Sequence, residues 1–296
     1  MGPPRQTPGT DHAALREHRA HPRAFHENRY VYAVLSRRSG GISIGVNLNP
    51  DKRCNFDCIY CQVDRRCMPP PEPVNLEQLR DELEGVLAAA ARGDLYAEAR
   101  FRDLPPPLRQ VRDIALSGDG EPTQCTRFER VAEVVTELAA RHATPPLPVV
   151  LITNATGLNR SRVVRGVDRI MAGGGAIWAK LDAGTAERYA RICGHRVPFR
   201  KVLDNLAATA RRHPVTLQTC LFNLEGSPPP DGEIDAYAKQ LAKILANDGQ
   251  ILGIQLYTVA RKPAESCVTA LDASTLDAIA ARIGAALPTV PLHVYP

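Results

Sequence analysis

The sequence predicts a parallel α/β chain, a partial (β/α)6 TIM-like barrel, on three observations. Short runs of β-branched and apolar residues alternate with longer segments of helical period, the pattern of strands joined by crossover helices. Six such strand–helix units follow one another within 296 residues, a length that suits one large barrel or two small domains. The polar motifs fall at the C-terminal ends of the strands, the face on which parallel barrels build their sites.

Residues 1–28 hold four of the eight histidines, His12, His18, His21 and His26, among Arg and Pro, and read as a flexible N-terminal arm. A metal-binding tract is the sharper alternative there, and the irregular histidine spacing stands against it. Asp11 and Glu17 argue against an organellar transit peptide, which is poor in acids. The barrel is assigned to residues 29–265, with strands over 42–48, 111–117, 149–153, 176–181, 215–222 and 251–258. Between them the helical period places helices over 76–92, 127–141, 161–167, 186–193, 199–212 and 234–247. Proline-rich pieces at 104–107 and 227–230 read as loops within the barrel rather than domain linkers. Residues 266–296 complete the chain with an amphipathic helix near 271–286 and a short strand near 291–295, covering one end.

Composition sets the outer bounds. With 44% apolar and 23% charged residues the chain is of ordinary globular type. No apolar run approaches the roughly 20 residues of a membrane span, and the first thirty residues lack the apolar core of a secretory signal, so no membrane is expected and the cytoplasm is the expected compartment. Eight cysteines are too few and too irregularly placed for a disulfide framework. A net charge of +5 is compatible with an RNA partner, while an aromatic content of 5% is low for a base-stacking surface.

Three cysteines follow the first expected strand in the run Asp51-Lys-Arg-Cys54-Asn-Phe-Asp-Cys58-Ile-Tyr-Cys61. Four-then-three spacing folds three thiolates around one small inorganic centre, and iron–sulfur clusters are held by such thiolates. Cys58-Ile-Tyr-Cys61 alone would equally suit half a zinc site or a redox dithiol. A zinc site needs a second pair of ligands, whereas Cys67, Cys125, Cys193, Cys220 and Cys267 stand singly. An electron-transfer or structural iron–sulfur protein, with Cys67 as fourth ligand, stays open on spacing alone.

The other strands end in Gly118-Asp-Gly-Glu-Pro122, Asn154-Ala-Thr156, Lys180-Leu-Asp182, Gln218-Thr219 and Gln255-Leu-Tyr257, the last running on to Arg261-Lys262. Taken alone, Gly118–Pro122 is a tight strand-to-helix turn with glycines at positive φ. Lys180 suits a substrate carboxylate or a Schiff base, and equally a salt bridge to Asp182 or Glu187. Arg261 and Lys262 suit an anionic group or plain solvated charge, and Cys125 a hydrogen-donating or a packing thiol.

The CxxxCxxC run, with Tyr60 immediately before its last cysteine, resembles the signature of the radical S-adenosylmethionine (SAM) enzymes. The resemblance covers roughly residues 28–265. It implies the partial barrel of that family, and a [4Fe–4S] cluster held by Cys54, Cys58 and Cys61 whose fourth iron binds SAM. It also implies SAM contacts from Gly118, Asp119, Gly120 and Glu121, where Asp119 replaces the first glycine of the family's Gly-Gly-Glu pair. Asn154 and Asp182 are implied near the ribose or carboxylate, Gln218 further round the mouth, and Tyr60 by the adenine. The implied activity is reductive cleavage of SAM to a 5′-deoxyadenosyl radical that takes a hydrogen atom from a substrate, with an external donor of flavodoxin or ferredoxin type. Asn28-Arg-Tyr-Val-Tyr32, Ser36-Arg-Arg-Ser-Gly-Gly41, Val46-Asn-Leu-Asn-Pro50 and Cys61-Gln-Val-Asp-Arg65 resemble stand-alone bacterial radical SAM proteins. In motif style these are nearest the tRNA wyosine-synthase class, which makes tRNA-base modification the leading substrate expectation. The chain departs from that class in lacking a second cluster motif before the first.

Overall fold

The computed structural model describes residues 25–65, 68–194, 196–261, 263 and 265–296. The arm expected at 1–28 falls outside these up to residue 24, as do Cys67 and Lys262. The strands are β1 (Val31–Ser36), β2 (Gly41–Val46), β3 (Val111–Leu116), β4 (Val149–Thr153), β5 (Ala176–Lys180), β6 (Val215–Cys220), β7 (Phe222–Leu224), β8 (Ile251–Tyr257), β9 (Val268–Ala270) and β10 (Leu292–Tyr295). The helices are α1 (Leu76–Arg92), α2 (Asp94–Ala97), α3 (Phe128–His142), α4 (Ser161–Ala172), α5 (Ala186–Cys193), α6 (Phe199–Arg212), α7 (Asp231–Leu245) and α8 (Ala273–Ala286).

Eight strands form one sheet in the order β1-β2-β3-β4-β5-β6-β8-β10. All neighbours from β2 onward are parallel, and only β1 runs antiparallel, to β2. The six strands β2, β3, β4, β5, β6 and β8 are each followed by a helix before the next parallel strand, so the chain folds as the expected partial TIM-like barrel. Side chains alternate across each strand. Ile42, Ile44 and Val46 of β2 are fully buried, while Ser43 between them lines the cavity inside the curled sheet, as do Trp178 and Lys180 on β5. Each fully buried Ile or Leu of this layer contributes about 1.5–3 kcal/mol.

Several boundaries differ from the sequence expectation for identifiable reasons. Residues 31–36 form a strand that the alternation of strands and helices does not reveal, because β1 pairs back on β2 through a four-residue turn with no helix between them. The fifth expected strand ends at Cys220, and Phe222 begins β7, which pairs antiparallel with β9 in a separate two-stranded sheet. Helix α4 runs on to Ala172 instead of stopping near 167. Gly166 does not end it but brings it close to α3: a Cβ there would meet Phe128 Cδ1 at 2.8 Å. The C-terminal strand β10 joins the main sheet beside β8, with Leu292 opposite Ile254 and Tyr295 opposite Tyr257. Among the described residues, no helix is long and apolar enough to cross a membrane.

Candidate functional site

A cavity of about 630 Å³ opens inside the curled sheet, towards the C-terminal ends of its parallel strands. Cys54, Cys58, Tyr60 and Cys61 line it from the loop after β2, and Gly118, Asp119, Gly120 and Glu121 from the loop after β3. Asn154 lines it after β4 and Gln218 from β6. Asp182 stands outside the lining, behind Tyr60, whose hydroxyl donates to Asp182 Oδ2 at 2.5 Å.

The cysteine loop has no regular secondary structure and is held from three sides. The last turn of α5 supplies carbonyls to it: Asp57 N donates to Cys193 O at 3.1 Å and Ile59 N to Ile192 O at 3.0 Å. Asn55 bridges to the strand end of β4, donating to Thr156 Oγ1 at 2.8 Å and accepting from Asn154 Nδ2 at 3.0 Å. Arg65 closes the third side: Nη1 donates to Cys61 Sγ at 2.9 Å, Nε to Lys52 O at 3.1 Å and Nη2 to Asp119 O at 3.0 Å. One guanidinium thus joins a thiol, its own loop and the loop after β3.

Each cysteine has a different electrostatic setting. Burial pushes the Cys54 thiol up to about 11, opposed by the amide of Phe56. Cys58 is held below the ordinary thiol value because the Cys193 thiol hydrogen-bonds it, and Cys193 is pushed up by the same bond. In the sequence Cys193 stands alone, and only the docking of α5 against the loop brings the two together.

The turn Gly118–Glu121 is not a positive-φ turn. Neither Gly118 nor Gly120 adopts positive φ. The glycines are required by close approach: a Cβ on Gly118 would meet Asn47 Oδ1 at 2.2 Å, and one on Gly120 would meet Arg53 O at 2.1 Å. Asn47, which the motif reading did not single out, locks this contact by accepting from Asp119 N at 3.0 Å and donating to Asp119 Oδ2 at 2.7 Å. Beside it, Asn49 Oδ1 is buried with no hydrogen-bond partner among the described residues. Glu121 is a clamp between strands. Its Oε1 accepts from Thr123 N at 3.2 Å, Thr123 Oγ1 at 2.6 Å and Thr153 Oγ1 at 2.5 Å, and its Oε2 from Asn154 N at 2.7 Å. Burial pushes the Glu121 carboxyl up, against the pull of those bonds.

Further round the sheet, Asp182 accepts from Cys220 N at 2.7 Å as well as from Tyr60, and Lys180 Nζ lies 3.7 Å from its Oδ2. Lys180 also bonds Tyr257 Oη at 2.5 Å. Burial works to lower the Lys180 value, and Asp182 and Tyr257 outweigh it, so the ammonium is held above its ordinary range. Gln218 Nε2 donates to Gln255 Oε1 at 2.9 Å. Cys125 is buried beyond the turn at Thr123 and does not line the cavity. Arg261 does. A single-ion site needs ligands converging on one point, and no three described His, Cys, Asp or Glu do so.

No family model matches the chain. Among curated proteins, GTPase Obg of Brachyspira hyodysenteriae is 22% identical over 241 residues, which are 81% of this chain and 31% of that protein. The chain therefore spans about a third of the length of the curated relative it matches. Among solved structures, a radical SAM methyltransferase from Sphaerobacter thermophilus superposes on 90% of this chain and 68% of its own with a TM-score of 0.62 and 14% identity. Streptococcus suis SuiB bound to S-adenosylmethionine superposes on 85% of this chain and 50% of its own, with a TM-score of 0.58 and 12% identity. The chain thus has the partial-barrel fold of the radical SAM methyltransferase and of SuiB.

Proposed function

We propose that the protein is a radical SAM enzyme in which Cys54, Cys58 and Cys61 hold a [4Fe–4S] cluster and the loops after β3 and β4, with Gln218 of β6, hold SAM. One observation carries the reading: the three thiols of CxxxCxxC share a cavity with Gly118–Glu121, Asn154 and Gln218, all at the ends of neighbouring parallel strands. The donor set suits the group in its chemistry, since Cys54, Cys58 and Cys61 are soft sulfur donors of the kind that hold iron–sulfur clusters and all three line the one cavity. Asn49 Oδ1, buried beside the Gly120 contact and without a partner among the described residues, is an acceptor still to be satisfied in this region.

Bound there, the cluster would supply one electron to SAM, breaking its carbon–sulfur bond to give methionine and a 5′-deoxyadenosyl radical. The chain's own residues do the rest. Arg65 places a positive charge and an N–H donor against the Cys61 sulfur. The bare glycines let the turn approach the cysteine loop, so that its main chain faces the same cavity. Asp182 fixes Tyr60, which stands between Cys58 and Cys61 on the cavity wall. The enclosing sheet shields a reactive species from water. An external donor of flavodoxin or ferredoxin type belongs to this reading.

The test is iron and acid-labile sulfide analysis after anaerobic reconstitution. About four irons per chain are expected in the wild type and in Cys67→Ala, with loss in Cys54→Ala, Cys58→Ala or Cys61→Ala. Loss in Cys67→Ala would instead support the four-thiolate electron-transfer protein.

A further inference from the structure

We propose that the cavity takes a small substrate through an oxyanion, a carboxylate or phosphate group, and that Arg38 is the residue that binds it. The inference rests on the enzyme reading above and adds the chemical class of the substrate.

One wall of the cavity is a run of alternating rings and cations. Lys180 Nζ lies 5.1 Å from the ring centroid of Tyr60 and 5.2 Å from that of Tyr257. The Arg38 guanidinium carbon lies 4.6 Å from the same Tyr257 centroid. The run therefore leads from the cysteine loop, through Tyr60, Lys180 and Tyr257, to Arg38 in the turn between β1 and β2. Both ends of it line the one cavity.

The two cations differ in what answers their charge. Lys180 has Asp182 at 3.7 Å and the Tyr257 hydroxyl at 2.5 Å. Arg38 has the face of Tyr257, and among the described residues it makes no hydrogen bond and no ion pair. A guanidinium presents donors in a rigid planar fork, so a ring covers one face and leaves the N–H edge to be satisfied. Carboxylate and phosphate match that edge in bidentate geometry.

Arg38 is also held in place. Its neighbour Arg37 donates from Nη1 to Pro296 O at 2.5 Å, which ties the β1–β2 turn to the residue after β10 across the open edge of the sheet. Burial, then the charge of Arg38, hold the Arg37 guanidinium below its ordinary value, against the opposing pull of Tyr295. A guanidinium lining a cavity inside the sheet suits a small anionic molecule, whereas a polyanion is met by charges spread over an outer surface.

Trp178, the one tryptophan of the chain, lines the same cavity and reports on its contents. The test is titration of the full chain, free of iron and SAM, with sodium phosphate and sodium acetate, following Trp178 fluorescence at an ionic strength held constant with sodium chloride. A saturable change is expected with at least one of the two anions, and which one responds distinguishes a phosphate from a carboxylate substrate. Arg38→Gln is expected to weaken it about ten-fold or more, the loss of a charged hydrogen bond, and Arg38→Lys to weaken it less. Arg37→Gln, with circular dichroism on every variant, controls for a general disturbance of the turn.

Equal binding by Arg38→Gln and wild type, or the same curve from chloride alone, would overturn the proposal. A loss of SAM affinity in Arg38→Gln as large as the loss for phosphate and acetate would also overturn it, by assigning the arginine to the cofactor. The titration uses neither cluster nor SAM, so its failure leaves SAM cleavage to be judged on its own assay.

Discussion

Arg65 Nη1 stands 2.9 Å from Cys61 Sγ, and the Nη2 of the same guanidinium stands 3.0 Å from the carbonyl of Asp119. A residue outside both motifs therefore couples the third cysteine to the turn after β3. Arg65→Gln is expected to lower the cluster's midpoint potential by up to about 100 mV, because removing a positive charge beside the cluster disfavours the more negative reduced state; a charged hydrogen bond of about 1.5–3 kcal/mol sets that ceiling for a one-electron couple. Arg65→Lys should recover part of the shift. An EPR-monitored redox titration reads both, and an unchanged potential in Arg65→Gln would remove the arginine from the electrostatics of the site.

Gly120→Ala and Gly85→Ala should move stability in opposite directions. A Cβ on Gly120 meets Arg53 O at 2.1 Å and Asn49 Cβ at 2.8 Å, so the loops must part, at a cost of about 1–3 kcal/mol. Gly85 is exposed in α1 with nothing within 4 Å of the added carbon, and alanine there should stabilise by about 0.5–1 kcal/mol. Denaturant melts compare the two directly. Gly120→Ala as stable as wild type would show that the close approach is relaxed in solution.

The family resemblance implies Asp182 near the ribose or carboxylate of SAM, and in the structure its two oxygens are engaged by Tyr60 Oη, Cys220 N and the charge of Lys180. Its side chain is 3% exposed. Asp182→Ala should cost about 3–5 kcal/mol, because it leaves a lysine charge without its carboxylate. A chemical melt without SAM measures this. A variant as stable as wild type that has lost only SAM affinity would return Asp182 to the cofactor.

Asp272 caps α8, accepting from Thr275 N at 2.7 Å and from the Ser274 and Thr275 hydroxyls. The Ser274 hydroxyl first, then the amide and hydroxyl of Thr275, hold its carboxyl down from 3.8 to about 2. A depressed acid stabilises above its unfolded value and loses that contribution as pH falls through the folded one. The start of α8 is therefore expected to loosen as pH falls from about 4 to about 2. Asp272→Asn should keep the cap and lose that pH dependence. Hydrogen exchange at the first amides of α8 checks both.

Local pattern made much of this legible. Helices α1, α5 and α6 begin and end where the helical period places them, because each carries its own apolar face. The cysteine run and the strand-end polar residues were visible because their spacing is local and parallel barrels gather strand ends. What stayed hidden depends on long-range contact. Asn47 acts on Asp119 across 72 positions, and Cys193 reaches Cys58 only through the packing of α5. Glu121 belongs to a local motif, yet its carboxylate is engaged by Thr123, Thr153 and Asn154, contacts that span neighbouring strands. β1 is hidden in the sequence because an antiparallel partner with no intervening helix breaks the βα rhythm that reveals the other strands.

The central claim is that Cys54, Cys58 and Cys61 serve SAM chemistry, and the most direct measurement is product analysis of the reconstituted full chain. With dithionite and SAM under anaerobic conditions, the wild type should form 5′-deoxyadenosine and methionine, detected by mass spectrometry, and Cys58→Ala should form neither. A wild type that holds its iron and sulfide yet forms no 5′-deoxyadenosine, with an EPR spectrum that SAM leaves unchanged, would contradict it.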